Sequence, residues 1–243
     1  MTDPIYAIGD IHGQLEQLHK VLDKIERDGG QNAKIVFLGD YVDRGPNSKD
    51  VIELLADGVK SGKNWHCILG NHDRMFSMFM EDYPRTDYRL KPGYDWFHER
   101  IGGVETLASY GIDSDIDRRI FQLHEDAQEA VPQHHLDFIN NLPLTITAGE
   151  LLFVHAGIRP GVALEQQTED DLVWIREGFL DDPRPHDWLI VHGHTTVPEA
   201  THYGNRVNLD SGAGYGKPLT AAVFEGAESW VLTENGRASL KAE

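Results

Sequence analysis

The chain has 243 residues, enough to bury a substantial core, and an apolar content of 40% excludes a disordered segment. Its net charge of −18 argues against nucleic acid as a partner but leaves room for a small phosphorylated substrate neutralised by bound cations. The one cysteine, Cys67, allows no internal disulfide; no apolar run reaches membrane-spanning length; and Met1-Thr2-Asp3-Pro4 carries no secretory signal, so a cytoplasmic protein without a membrane partner is expected.

Ile5–Ile8 reads as a first strand, leaving through Gly9-Asp10-Ile11-His12-Gly13. Leu15, Leu18, Val21, Leu22 and Ile25 then recur at helical spacing until Gly29-Gly30. Residues 35–38 form a second apolar strand. Its exit, Gly39-Asp40-Tyr41-Val42-Asp43-Arg44-Gly45, packs two carboxylates and a guanidinium between glycines, a cluster that asks for a cation and an anion. Pro46 suits a first helical position, and Val51, Ile52, Leu54 and Leu55 form the apolar side of the helix. Residues 65–69 are a third strand, with Cys67 as a small core residue and Gly70-Asn71-His72-Asp73 as the exit. This repeated β-loop-α order predicts a parallel sheet with right-handed crossovers.

From Glu81 the texture changes. Residues 82–141 carry helical patterns at 97–110 and 116–131 without strand alternation. They are expected to form a helical insertion over one edge of the site, within a single domain of residues 1–243. Strand texture returns at 144–147, turns at Ala148-Gly149-Glu150, and resumes over Leu151–Val154 with His155-Ala156-Gly157 as the exit. Residues 170–180 look helical. Residues 188–191 are a strand leaving through His192-Gly193-His194-Thr195. Short runs at 207–209, 219–224 and 229–232 are expected to close the fold as antiparallel strands, with Gly212-Ala213-Gly214-Tyr215-Gly216 between the first two.

Five of the predicted strands share a habit: each ends in a glycine-flanked loop bearing Asp, His or Asn. If the strands lie in two packed sheets, the loops meet on one rim, and Asp10, His12, Asp40, Asn71, His155 and His194 become potential ligands. Oxygen and nitrogen donors without a thiolate suit Mn²⁺, Zn²⁺ or Fe. So many protein ligands exceed the need of one catalytic ion with an open position. They fit two ions about 3.5–4 Å apart sharing a carboxylate. Singly, each feature is bland: a Gly-Asp is usually a turn, and a strand-end histidine usually a rim residue. Order and spacing together carry the reading.

In that order, Gly9-Asp10-Ile11-His12-Gly13, Gly39-Asp40-Tyr41-Val42-Asp43-Arg44-Gly45, Gly70-Asn71-His72-Asp73, His155-Ala156-Gly157 and Gly193-His194-Thr195 resemble the signature of the phosphoprotein phosphatase family of calcineurin-like metallophosphoesterases. The likeness is to its small bacterial and bacteriophage serine/threonine protein phosphatases. It runs from Gly9 to about Tyr215 and does not cover 82–141. The resemblance implies an α/β, metallo-dependent phosphatase fold: two packed mixed β-sheets flanked by α-helices in a four-layer αββα sandwich. It implies Asp10 and His12 on a first metal, Asp40 bridging, and Asn71, His155 and His194 completing a second, with Mn²⁺ the ion expected first.

The implied mechanism is hydrolysis by a hydroxide made from a water whose pKa the two cations lower toward ~7, attacking phosphorus in line with no covalent intermediate. His72 would protonate the leaving oxygen, oriented by Asp43 or, instead, by Asp73. Arg44 and Arg176 would grip phosphate bidentately, with Arg159 a rival. Tyr215 would lie over the site, and His192 would at most neighbour the ligands. The expected activity is phosphomonoester hydrolysis on phosphoserine and phosphothreonine proteins or small phosphoesters, toward which Asp43-Arg44 tilts. Asn71-His72-Asp73 tilts slightly toward the sister branch, diadenosine tetraphosphate hydrolases. A non-catalytic metal-binding module is the third alternative, and a competent ligand at every position argues against it.

Overall fold

The computed structural model describes residues 3–113, 118–226 and 228–242. In chain order the first half runs β1 (Ile5–Ile8), α1 (Leu15–Gly29), β2 (Lys34–Phe37), α2 (Ser48–Lys60), β3 (Trp65–Cys67) and α3 (Asn71–Phe79). Three helices follow: α4 (Gly103–Ser109), α5 (Ile120–Ala130) and α6 (Gln133–Asn140). The second half runs β4 (Thr145–Ala148), β5 (Leu151–Val154), α7 (Glu169–Trp174), β6 (Leu189–His192), β7 (Thr201–His202), β8 (Arg206–Asn208), β9 (Ala221–Glu225), β10 (Glu228–Thr233) and β11 (Gly236–Ser239).

The strands form two mixed sheets, ordered β11-β10-β9-β1-β2-β3 and β4-β5-β6-β8-β7. Alternation along buried strands sorts the side chains into layers. Ala7, Val36 and Leu38 from the first sheet and Leu151, Phe153 and Val191 from the second fill one core, so the sheets pack face to face. Tyr6, Ile8, Ile35 and Phe37 point the other way, into α1, α2 and the helices between β3 and β4. Leu152, Val154 and Ile190 pack on Leu172, Ile175 and Phe179 in and after α7. Helix, sheet, sheet, helix is the expected four-layer order. Among the described residues no helix is long and apolar enough to cross a membrane.

Several expectations are corrected. The helix expected at 97–110 covers only Gly103–Ser109, because Gly102 takes a left-handed φ of 92° and Gly103 packs against the Trp96 ring. The pattern at 116–131 yields α5 from Ile120, and residues 116 and 117 lie outside the described residues. The helix expected at 170–180 stops at Trp174, where Ile175 turns extended and buries its side chain. Pro46 lies before α2, which starts at Ser48. The run at 207–209 is not an antiparallel closing strand with respect to its inner neighbour. β7 and β8 form a hairpin, and its return limb lies parallel to β6. β7 and the polar β11 had no sequence signal: one is two residues long, the other an edge with little to bury.

Candidate active site

The parallel strands β1, β2, β5 and β6 all deliver their exits to one rim. Among the described residues, the non-glycines with positive φ are His12 (47°), Asp40 (55°), Asp43 (71°), Arg44 (67°) and His194 (66°). Each is a candidate site residue at a strand exit. Left-handed backbone at a non-glycine costs about 1–2 kcal/mol, so the rim is where the fold stores strain. Backbone bonds from Ile11 and His12 to the Asp40 carbonyl lock the first two exits together.

Histidine orientation follows from what holds the inner nitrogen. His12 Nδ1 meets the Val42 carbonyl at 2.8 Å, and His155 Nδ1 meets the Leu38 carbonyl at 2.7 Å. In both rings Nε2 is left facing Asp40, at 3.6 Å from Oδ2 for His12 and 3.4 Å from Oδ1 for His155. Asn71 Oδ1 lies 2.9 Å from His155 Nε2 and 2.7 Å from His194 Nδ1. Donor atoms of Asp10, Asp40 and His155 lie within 4.8 Å of one another, and so do those of His12, Asp40 and His72. Asp40 therefore belongs to both groups. The backbone N–H of His194 donates to Asp10, and that of His72 to Asp40 Oδ1 at 2.9 Å. Close backbone approach requires glycine here: a Cβ at Gly193 would overlap Asp10 Oδ1, and one at Gly70 would overlap Asp40.

Burial without enough counter-charge dominates the electrostatics. It raises the Asp10 carboxyl well above its usual range, helped by Asp210 and Asp40, and raises Asp40 to about 7. The same burial holds His12, His72 and His194 well below their ordinary value and lowers His155 to about 4. Neutral imidazoles and carboxylates strained to ionise are what a divalent cation relieves. With ring nitrogens pre-turned by backbone carbonyls, the residues fit a pair of divalent ions.

His72 and the arginines sit beside these donors. His72 Nδ1 is 2.6 Å from Asp43 Oδ2. Asp43 also accepts from Trp96 Nε1 at 3.0 Å and from Thr106 Oγ1 at 2.7 Å. Trp96 and Thr106 lie in the segment between α3 and β4, which thus reaches the site rather than only covering it. Asp73 has another job: its carboxylate accepts from the N–H groups of Asp40, Tyr41 and Gly70 at 2.8, 2.8 and 3.0 Å. It clamps the β2 exit to the start of α3 and does not hold His72. Arg44 places one guanidinium nitrogen against His12 Nε2 and another 3.0 Å from His72 Nε2. The Tyr215 ring, 60% exposed, lies 4.6 Å from the Arg44 guanidinium carbon. Arg176, just beyond α7, brings a guanidinium nitrogen 3.5 Å from the His194 carbonyl, near enough to Asp40 and Asp10 to feel their charge.

Two rivals fall away. Arg159 is engaged by Asp171 at 2.6 and 3.0 Å. His192 is turned toward Arg206 and the Gly193 carbonyl. Sequence reasoning missed Asp210, buried at the β8 exit, whose charge bears on Asp10 and Asp40. Its signal was the strand-exit pattern Val207-Asn208-Leu209-Asp210, the same habit that marked Asp10 and Asp40. Trp96 and Thr106 had no motif to mark them.

The family description "Calcineurin-like phosphoesterase" matches residues 3–224. The chain belongs to this family. It is similar to the asymmetrical bis(5'-nucleosyl)-tetraphosphatase PrpE of Halalkalibacterium halodurans, 27% identical over 240 residues, with 89% of this chain and 88% of the relative covered. The same protein of Bacillus subtilis is 25% identical over 245 residues, with 91% of each chain covered. In fold, the phosphoesterase resembles the crystal structure of a candidate diadenosine tetraphosphatase (TM-score 0.63, 22% identity, 95% of this chain and 93% of the other). It also resembles a serine/threonine phosphatase from Saccharomyces cerevisiae (TM-score 0.51, 17% identity, 99% of this chain and 80% of the other).

Proposed function

We propose that this phosphoesterase hydrolyses dinucleoside tetraphosphates asymmetrically, with two divalent cations, Mn²⁺ foremost, held by Asp10, His12, Asp40, Asn71, His155 and His194. The observation that carries the reading is the match to tetraphosphatases over 88% and 91% of their own length. The likeness to a serine/threonine phosphatase, at 17% identity, is one of fold alone.

Bound at the rim, the cations supply Lewis acidity and a water of pKa near ~7. The chain's own residues do the rest. Arg44 and Arg176 present guanidinium forks to phosphate oxygens. Asp43 holds His72 by Nδ1 and so turns Nε2 to the rim, where the ring, once protonated, would have its second proton to give. Water adds to a phosphorus at one end of the chain and the phosphoanhydride oxygen leaves, parting a nucleoside triphosphate from a monophosphate. A phosphate leaving group has an ordinary pKa of about 6, so it needs this proton less than a serine alkoxide does.

That last point keeps a second reading in play: hydrolysis of phosphoserine or phosphothreonine in proteins. The Asp43–His72 pair is the observation that favours it. Diadenosine tetraphosphate and a phosphoserine peptide, assayed side by side with Mn²⁺ and with products resolved, decide between them. Triphosphate plus monophosphate is the expected outcome. Turnover of the peptide alone overturns the proposal.

A further inference from the structure

We propose a second kind of metal site in this protein, a Zn²⁺ site formed by Glu53 of α2 with His134 and His135 of α6. It shares no residue with the catalytic rim. His135 Nε2 lies 2.8 Å from Glu53 Oε2, and His134 Nε2 lies 3.2 Å from both oxygens of the same carboxylate. The three donor atoms fall within 4.8 Å of one another.

The local chemistry explains the convergence. Consecutive residues on a helix point about 100° apart. His135 turns inward and is fully buried, while His134 stays at the surface, and Glu53 reaches between them from the neighbouring helix. The buried Tyr110 hydroxyl meets His135 Nδ1 at 2.8 Å, which fixes the ring and presents Nε2 to Glu53. An outer partner on the far nitrogen is how ligating histidines are commonly oriented. Two imidazoles and a carboxylate suit Zn²⁺, with water in the remaining position. Ligands ~2.1 Å from a tetrahedral ion sit ~3.4 Å apart, close to the 2.8 and 3.2 Å that separate the two histidines from Glu53.

The site would staple α2, which follows the Asp43-Arg44 loop, to α6. Tyr110 also stacks on Phe76 of α3 at 6.1 Å, so the staple lies against the helix that carries His72. Its effect is on stability, not on the chemical step.

The test compares wild type with His134→Ala, at an exposed position, and Glu53→Gln, at a half-buried one; neither removes a core side chain. Mn²⁺-loaded protein is titrated with Zn²⁺, then metal content after gel filtration and Tm are measured. The wild type should retain an additional zinc equivalent and gain Tm with Zn²⁺; both variants should lose both responses while hydrolysing substrate at the wild-type rate. Equal zinc retention and equal Tm responses in all three proteins would mean that the trio is only hydrogen-bonded, and would overturn the proposal. Zinc retention and Tm need no knowledge of the substrate, so the two deciding readouts are independent of the catalytic reading.

Discussion

His72 Nδ1 lies 2.6 Å from Asp43 Oδ2, and the same carboxylate takes the indole N–H of Trp96 and the hydroxyl of Thr106. These donors oppose the burial that raises the Asp43 carboxyl well above its usual range, and they fix it as the orienting partner of His72. Asp43→Asn keeps the shape but lets His72 adopt the wrong tautomer. Turnover of a phosphoserine peptide should fall by ~10²-fold, as for loss of a general acid, and His72→Asn should do the same with metal content intact. The loss should be smaller for diadenosine tetraphosphate, whose leaving group is the weaker base. Equal losses on both substrates would remove His72 from leaving-group protonation.

Asp40 supplies a pH signature. Burial raises its carboxyl from 3.8 to about 7, so in the metal-free protein the folded state holds a proton that the unfolded chain has lost. Between those values, rising pH therefore destabilises the metal-free fold. The buried histidines act in the opposite sense: His155, lowered to about 4, adds stability as pH rises toward 6.5. Asp40→Asn isolates the first effect. In chelator, the Tm of Asp40→Asn relative to wild type should climb from pH 4 to pH 7 and then level off. A flat difference would show that Asp40 is ionised in the metal-free protein.

Metal removal should silence the enzyme. Chelation is expected to abolish hydrolysis, and Mn²⁺ to restore it, because in the proposed mechanism divalent cations would supply the acidity that ionises the attacking water. Gly193→Ala should mimic part of this effect, since its Cβ would overlap Asp10 Oδ1. Metal analysis should show a lower content, with affinity down by ~10–100-fold. Wild-type metal content in that variant would place Asp10 outside the ligand set.

Thr106 bonds Asp43 twice, accepting from its N–H at 2.8 Å and donating to Oδ1 at 2.7 Å. Thr106→Val leaves a buried carboxylate short of a donor. The expected cost is about 1–3 kcal/mol, read from chemical denaturation.

Tyr215 is 60% exposed with its ring against Arg44, so under the proposed dinucleotide activity it would be the residue to stack a nucleobase. Base–aromatic stacking contributes about 1–3 kcal/mol, so Tyr215→Ala should raise KM for the dinucleotide by ~10-fold. KM for p-nitrophenyl phosphate, which has no base, should stay near the wild-type value. A parallel rise for both would make Tyr215 a brace for Arg44 only.

Sequence alone marked the polar positions that the structure brings together at the rim. Asp10, Asp40, His155 and His194 follow apolar strands and have a glycine within two residues, a local arrangement that a linear reading detects. The same local logic located the early strands and helices within a residue or two. Tertiary structure decided everything that depends on segments distant in the chain. The β6–β8 pairing, the division of labour between Asp43 and Asp73, the reach of Trp96 and Thr106 into the site, and the engagement of Arg159 by Asp171 all join residues with no periodic or spacing relation. Periodicity reports which face of an element is buried; it carries no information about which polar group waits on the other side, because that is set by packing.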